Sequence, residues 1–255
     1  MFFEHSLHRL FNSKLSRFNL DNFVDNRFRE DTIFNMSRSL IFSPEEYYHC
    51  YSRGVEKRKI FLDKKDYQRF LHLLFVCNST STIHLSNYRE KSFSGIFEID
   101  RDETLVDIGT YCLMSNHFHI LVKAKKDKNI SLFMQKVITG YTMYFNKKYN
   151  RTGALFEGTF RAEHADKDTY LKYLFSYIHL NPVKIIDSTW KEKGIKNKIQ
   201  AQKFLQEYIY SSYLDYMGEK RDQGVILNRD AFPDYFPNKK SFLDEIYEWI
   251  TFVKV

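Results

Sequence analysis

Two β-prone segments joined by a two-residue turn constrain this chain more than any other feature. Leu105–Met114 alternates loosely between apolar and polar side chains, and His117–Lys123 follows after the turn Ser115–Asn116. Such a pair of segments is typical of an antiparallel hairpin. A third β-prone segment, Tyr47–Arg53, ends at the turn residue Gly54. We therefore expect a small antiparallel sheet.

Helical patterns alternate with these strands. Asp63 is a candidate N-cap for one helix, and apolar spacing predicts further helices over Ile130–Tyr149 and Asp166–Leu180. Asn181–Pro182 should end the last helix, because the residue before a proline resists helical geometry. Ala154–Ala162 suggests a short strand or an extended loop. The interleaving predicts an α+β fold in which helices pack on one face of the sheet.

Composition divides the chain into three predicted parts. Residues 1–43 are polar and mixed in charge, and short helices around His5–Phe18 are the only pattern there. Residues 44–190 contain the interleaved strands and helices and form the predicted domain. Residues 191–255 carry two more helical patterns, Ile199–Met217 and Ser241–Val253, and are predicted to be a helical C-terminal extension.

Charge and cysteine content narrow the class of protein. The 39 basic and 32 acidic residues give a net charge of +7, which favours an anionic partner, although a merely basic globular protein fits as well. The three cysteines include no Cys-x-x-Cys motif, which argues against a disulfide framework or a cysteine-based zinc site. We find neither a membrane span nor a signal core and expect a cytoplasmic protein.

His117 and His119 are the sharpest candidates for chemistry. On a strand, residues two positions apart point to the same side, so both imidazoles should leave one face while Phe118 packs on the other. Two imidazoles so close suit a single divalent metal ion. His-x-His also arises by chance, so the pair alone leaves a metal site and two unrelated histidines as alternatives.

Tyr177 and Asn181 lie four residues apart near the end of a predicted helix and should share a face. A phenol and an amide oxygen placed this way could reach the same metal site. Alternatively, Tyr173 and Tyr177 pack in the core, and Asn181 only caps the helix before Pro182. Spacing leaves both interpretations open.

Three other groups of polar residues are ambiguous. His179 lies on the side of its helix opposite Tyr177, so we expect a packing or surface role. His164 follows a polar stretch and is expected to be a solvated loop residue. The first strand carries polar rings at alternating positions that line either the histidine face or the surface, namely Tyr47, His49 and Tyr51.

The segment Tyr141–Arg161 combines basic and aromatic residues. Its Lys and Arg side chains can reach phosphates and its Phe rings can stack on bases. These residues are Lys147, Lys148, Arg151, Arg161, Phe156 and Phe160. An amphipathic helix with a solvated charged end would have the same composition.

Four motifs occur in a fixed order: YHCYSRGVEKRKIF, YCLMSNHFHILVK, YFNKKYNRTGALFEGTFRAE and YLKYLFSYIHLNPVK. Together they resemble the HUH-type single-tyrosine transposases of the IS200-like family, in particular the branch associated with repetitive extragenic palindromes. The resemblance covers roughly Glu46 to Tyr216. Residues 1–43 lie outside it, and Asn78–Thr104 is longer than a minimal core needs.

The resemblance implies a ferredoxin-like antiparallel sheet and a defined set of site residues. His117 and His119 match the HUH pair, Tyr177 matches the catalytic tyrosine, and Asn181 matches a third metal ligand. The implied cofactor is Mg²⁺ or Mn²⁺, and the implied partner is single-stranded DNA that carries a hairpin. The residues expected to contact DNA are Arg53, Lys147, Lys148, Arg151, Phe156 and Arg161.

The resemblance also implies a reaction. A free phenol ionises near pH 10 and is a poor nucleophile, so a metal would assist Tyr177 in attacking a phosphodiester. The products would be a 5′-phosphotyrosine and a 3′-OH, and a second 3′-OH would rejoin the strands without ATP.

Two alternatives remain: a domesticated hairpin-binding protein that does not cut, and an unrelated metal hydrolase that does not need Tyr177. We expect nucleoid association and no membrane partner, and leave a homodimer open.

Overall fold

The computed structural model describes residues 40–251 of the chain. The predicted extension 1–43, including the helical pattern at His5–Phe18, therefore lies almost wholly outside the described residues. The strands are β1 (Tyr47–Arg53), β2 (Val106–Met114), β3 (His117–Ala124) and β4 (Arg161–His164). The helices are α1 (Lys64–Val76), α2 (Asn129–Lys148), α3 (Asp168–Leu180), α4 (Trp190–Lys193), α5 (Lys198–Glu207), α6 (Tyr213–Tyr216) and α7 (Lys239–Thr251).

Short 3-10 turns connect several of these elements. They span Val55–Lys57, Leu85–Tyr88, Ser94–Glu98, Asn181–Ile185, Asp222–Ile226 and Arg229–Ala231. Within residues 40–251, none of the helices has the length and apolar character that crossing a bilayer requires.

The four strands form one antiparallel sheet in the order β2-β3-β1-β4. The chain passes from β1 to β2 through α1 and from β3 to β4 through α2. Strand order and crossovers are those of a ferredoxin-like sheet, which confirms the predicted fold class. The predicted hairpin is also confirmed, because β2 and β3 pair along their length across the turn at Ser115–Asn116.

Helices α1 and α2 cover one face of the sheet. Helix α1 begins where predicted, since the Asp63 side chain accepts from the backbone N–H of Asp66 and Asp66 accepts in return, as in a capping box. Phe70 of α1 packs on Phe118 of β3, with ring centroids 4.9 Å apart. Tyr141 of α2 packs on the same Phe70 ring. The apolar core therefore lies between these two helices and the face of the sheet that carries Phe118.

One helix prediction is wrong. The helix expected over Ile199–Met217 is broken, because the backbone between α5 and α6 pairs with the edge strand β2. There the N–H of Leu113 donates to the carbonyl of Tyr210 at 2.9 Å, and the N–H of Ser212 donates to that of Tyr111 at 3.0 Å. This pairing covers an open sheet edge. Of the two alternatives for Ala154–Ala162, the loop describes most of the segment, and only its last two residues join strand β4.

Candidate active site

The sheet face opposite α1 and α2 carries the histidine pair. His117 and His119 both point to this side, as alternation along β3 predicts, and their ring centroids lie 5.0 Å apart. His49 of β1 joins them, because its Nε2 atom lies 2.9 Å from Nδ1 of His119. Of the two alternatives for the alternating residues of β1, the structure shows that His49 lines the histidine face.

Tyr177 faces this cluster from α3. Its ring centroid lies 5.7 Å from that of His119 and 6.0 Å from that of His49, and both contacts are edge-on. The side chain is buried, and Nζ of Lys191 donates a hydrogen bond to the phenol oxygen at 2.9 Å. The phenol and the imidazoles therefore share one pocket within a single chain.

Asn181 completes the group of predicted site residues. It is buried at the start of the 3-10 turn that follows α3, and its Nδ2 lies 3.5 Å from the carbonyl oxygen of Tyr177. Its side chain also lies close enough to His117 to raise the pKa of that imidazole against the lowering effect of burial. The two imidazoles and the amide thus converge from β3 and from the end of α3.

The hydrogen bonds around His117 suit a metal ligand. Its Nδ1 lies 2.7 Å from Oδ1 of Asn116, and Nδ2 of Asn116 donates to the carbonyl of Lys57 at 3.2 Å. Because an amide oxygen only accepts, His117 donates from Nδ1, and a neutral ring then leaves Nε2 free of a proton. Metal-binding histidines commonly donate their second ring N–H in this way.

Burial keeps these imidazoles neutral. Desolvation is the largest influence on each: it lowers the pKa of His117 to about 3 and of His49 to about 4, and it lowers the pKa of His119 well below its usual value. The nearby positive charge of Lys191 adds to the lowering in all three cases. Neutral imidazole is the form that binds a metal ion.

The acidic side chain nearest to this cluster is engaged elsewhere. Over residues 40–251, no cluster of three or more His, Cys, Asp or Glu side chains is arranged to hold a metal ion. Glu163 of β4 is buried nearby, but its carboxylate accepts from the hydroxyls of Tyr51 at 2.9 Å and Tyr170 at 3.0 Å. The polar groups that the structure brings together here are the imidazoles of His49, His117 and His119, with the Asn181 amide and the Tyr177 phenol beside them.

Sequence reasoning left the position of His49 open and missed the contact of Lys191 with Tyr177. Alternation along β1 was the one available signal for His49. For Lys191, no spacing pattern connects α4 to the tyrosine helix.

His179 and His164, which the sequence left ambiguous, have structural partners. His179 is fully buried, with Nε2 2.9 Å from Oγ1 of Thr110 and 2.8 Å from Oγ of Ser212, so its role is packing. His164 was expected in a loop but lies on β4, and its Nε2 is 2.9 Å from a carboxylate oxygen of Glu46.

Several residues predicted to contact DNA instead bind other protein groups. Arg53 donates twice to Glu157, at 3.1 Å each. Arg151 donates to the Asn146 side chain at 2.7 Å. The prediction for Lys148 needs correction, because its ammonium lies 2.7 Å from carboxylate oxygens of Asp63 and Asp66 and is already neutralised.

Phe156 also needs correction, because its ring lies in the core. It is 2% exposed and packs against Phe118 and Tyr141, with ring centroids 5.8 and 6.2 Å away. A ring held there is not accessible to a base. Lys147 is exposed and Arg161 is half-buried at the start of β4, so these two positions remain accessible.

Residues 65–181 match the family model described as "Transposase IS200 like". This segment, a little under half of the chain, is therefore similar to the IS200-like transposases. The segment contains both histidines, Tyr177 and Asn181, whereas His49 and Lys191 lie outside it. Members of this family are, in general, dependent on a divalent metal.

Two solved structures are similar to this chain. One is a REP-associated tyrosine transposase bound to a REP hairpin, at 12% identity and a TM-score of 0.47, covering 74% of this chain and 90% of that one. Another is the tRNA(His) guanylyltransferase of Saccharomyces cerevisiae, at 14% identity and a TM-score of 0.32, covering 78% and 86%. No curated protein matches the chain.

Proposed function

We propose that this protein is a transposase that cleaves and rejoins single-stranded DNA, with Tyr177 as the nucleophile. One observation carries the proposal: the buried Tyr177 phenol faces the His117 and His119 pair in the same chain, with 5.7 Å between the His119 and Tyr177 ring centroids. A nucleophile that adjoins a candidate metal site is the arrangement that tyrosine-mediated phosphoryl transfer needs. The match of residues 65–181 to the IS200-like transposase model supports this proposal.

His117, His119 and Asn181 would hold the metal ion. Two ring nitrogens and one amide oxygen suit Mn²⁺, which tolerates nitrogen donors better than Mg²⁺ does. When bound, the ion would neutralise charge on the scissile phosphate and on the departing 3′ oxygen.

Tyr177 carries out the covalent step. Its oxygen forms a bond to phosphorus and releases the phenolic proton to water. The bond from phosphorus to the 3′ oxygen breaks, and that oxygen takes a proton and ends as a 3′-OH. Burial of the pocket limits water access to the resulting 5′-phosphotyrosine. A second 3′-OH then attacks the phosphotyrosine, so the phosphodiester energy is conserved and ATP is not needed.

The proposed partner is single-stranded DNA that carries a hairpin, as the order of the four motifs implies. Positive charge surrounds the site, since Lys184 and Lys191 both act on the His119 imidazole. Lys147 and Arg161 are the proposed phosphate contacts, and Arg53 and Arg151 would first have to exchange their protein partners. The site residues come from one chain, so the chemistry does not require a second copy. We place this activity in the cytoplasm, at the nucleoid.

A labelled single-stranded hairpin oligonucleotide, incubated with the protein and Mn²⁺, tests the proposal. The wild type should give a covalent adduct that survives denaturing electrophoresis and disappears when EDTA replaces Mn²⁺. Tyr177→Phe should give none. Tyr173→Phe is the matched control, one helical turn earlier on α3, and should keep the adduct.

Other outcomes identify the alternatives. A wild-type complex that shifts in a native gel but is never cut would indicate a hairpin-binding protein. Cleavage that persists in Tyr177→Phe would indicate a metal hydrolase that uses water.

A further inference from the structure

Lys191 contacts the atom that is proposed to react. Its Nζ donates to the Tyr177 hydroxyl oxygen at 2.9 Å and lies 4.3 Å from the centroid of that ring. Lys191 belongs to α4, beyond residues 65–181 that match the family. It therefore reaches the nucleophile from a part of the chain that the family match does not include.

The neighbouring structure holds α4 in place. Trp190 is buried beside Lys191 and anchors the helix. Upstream, Oδ1 of Asp187 accepts from the Thr189 backbone at 3.3 Å, and Oδ2 accepts from the Lys196 backbone at 3.1 Å. These contacts fix the chain on both sides of α4, so Lys191 is presented to Tyr177 by a defined local fold.

Lys191 brings positive charge to the phenol oxygen. His49 and His119 contact the same ring edge-on. Tyr173 contacts Tyr177 from the same helix, with ring centroids 5.7 Å apart, and is uncharged as a phenol. Among these contacts, the charge comes from Lys191.

We infer that Lys191 is a catalytic residue that stabilises negative charge on the Tyr177 oxygen in both cleavage and rejoining. The inference rests on the proposed function. In cleavage, the charge develops as the phenolic proton leaves for water and before the bond to phosphorus is complete. In rejoining, the incoming 3′ oxygen bonds to phosphorus and loses its proton to water. The bond from phosphorus to the phenol oxygen breaks, and that oxygen departs with the electron pair beside the Lys191 ammonium. A fixed donor is effective there because it is already oriented before charge appears.

Single-turnover adduct formation by the full chain, with saturating hairpin DNA and Mn²⁺, tests this role. Lys191→Met should slow adduct formation by about 100-fold, the usual effect of losing one such donor, while DNA affinity stays unchanged. Lys191→Gln, which keeps a donor but loses the charge, should also be slow. Lys191→Arg should keep an intermediate rate. The matched control is Lys193→Met, an exposed residue of the same helix, which should behave as wild type.

A substrate with sulfur in place of the bridging 3′ oxygen distinguishes a defect at the leaving group from a defect at the nucleophile. Sulfur is a better leaving group, so it compensates for a defect in leaving-group departure but not for one at the nucleophile. Lys191→Met should therefore remain slow relative to wild type on this substrate.

Three results would overturn the inference: a wild-type rate in Lys191→Met, full rescue by the sulfur substrate, or a loss explained by DNA affinity alone. Thermal melting accompanies each variant, and Lys191→Gln takes the place of Lys191→Met if the latter does not fold. Absence of an adduct in the wild type would instead refute the proposed function. A wild-type adduct with full activity in Lys191→Met would refute only the role of Lys191.

Discussion

The two faces of the sheet are both buried, but one carries apolar side chains and the other carries polar ones. On one face, Phe118 and Ile120 of β3 are fully buried among apolar side chains of α1 and α2. On the other, His119 and His49 are almost as buried, yet they are polar and hydrogen-bonded to each other. Burying polar groups costs free energy unless they find partners. The first face thus supplies stability, and the second holds reactive groups in a fixed arrangement.

Adjacent residues of β3 belong to different faces because side chains alternate along a strand. Stability and chemistry should therefore be separable by substitutions one residue apart.

The largest effects are expected at Phe118 and His119. Phe118→Ala should lower the free energy of unfolding by about 3–5 kcal/mol, because it removes a buried ring and leaves a cavity. His119→Ala should abolish adduct formation and cost less stability. Urea unfolding measures the first effect, and covalent capture at a temperature where both variants are folded measures the second. Equal losses of stability in Phe118→Ala and His119→Ala, or a full adduct yield from His119→Ala, would contradict the assignment of stability to one face and chemistry to the other.

Acid should destabilise the fold through buried neutral histidines, of which His179 on α3 is one. Burial lowers the pKa of His179 to about 3 from the usual 6.5. The unfolded chain therefore binds a proton between these values that the folded chain does not, so this contribution to stability is full above pH 6.5 and falls as pH decreases. His179 should account for a loss of about 2 kcal/mol between pH 7 and pH 5.

His179→Gln sharpens this prediction. The variant should be less stable at pH 7, yet its unfolding free energy should depend less on pH than that of the wild type. Urea unfolding at pH 7, 6 and 5 gives both slopes. An unchanged slope would show that His179 is not the buried neutral base described here.

On helix α2, the neighbouring residues Lys148 and Lys147 also differ in role, and Lys148 is the one that stabilises the fold. Its ammonium neutralises Asp66, whose side chain is fully buried and also accepts from the Tyr144 and Tyr149 hydroxyls. Lys148→Met should cost about 1–2 kcal/mol of unfolding free energy, because Asp66 loses a charged partner but keeps its hydroxyl donors. Thermal or urea unfolding tests this value. A neutral effect would argue that the ion pair adds nothing to the fold.

The smallest effect is expected at Lys147, the exposed neighbour of Lys148. Lys147→Met should change stability by less than about 0.5 kcal/mol, as surface substitutions usually do. If Lys147 contacts a phosphate, the slope of log affinity against log salt should fall by about 0.7 for single-stranded DNA. Fluorescence anisotropy over a salt series measures that slope. If Lys147→Met changed stability more than Lys148→Met does, the assignment of the stabilising role to Lys148 would be wrong.

Local signals predicted most of the fold. The hairpin, strand β1 and the Asp63 cap follow from alternation and capping, which depend on residues close in sequence. The break between α5 and α6 could not be predicted, because it arises when residues near 210 pair with β2, about a hundred positions earlier. Phe156 looked suited to base stacking, since only the tertiary fold shows that its ring fills the core.

The candidate site divides in the same way. His117 and His119 share a strand, and Tyr177 and Asn181 share a helical face, so spacing could suggest each pair. The contacts that join the site together are long-range: His49 and His119 are 70 positions apart, and Tyr51 and Glu163 are 112 apart. No periodicity connects such residues, so their roles appear only once β1, β3 and β4 are paired.

Mass spectrometry of the wild-type protein, after incubation with Mn²⁺ and a library of single-stranded oligonucleotides, tests the central claim most directly. Peptide mapping should find a nucleotide attached through its 5′-phosphate to the peptide that contains Tyr177, with fragment ions that assign it to that residue. Attachment to another residue such as Tyr173, or cleaved DNA with no protein-bound nucleotide, would contradict the account.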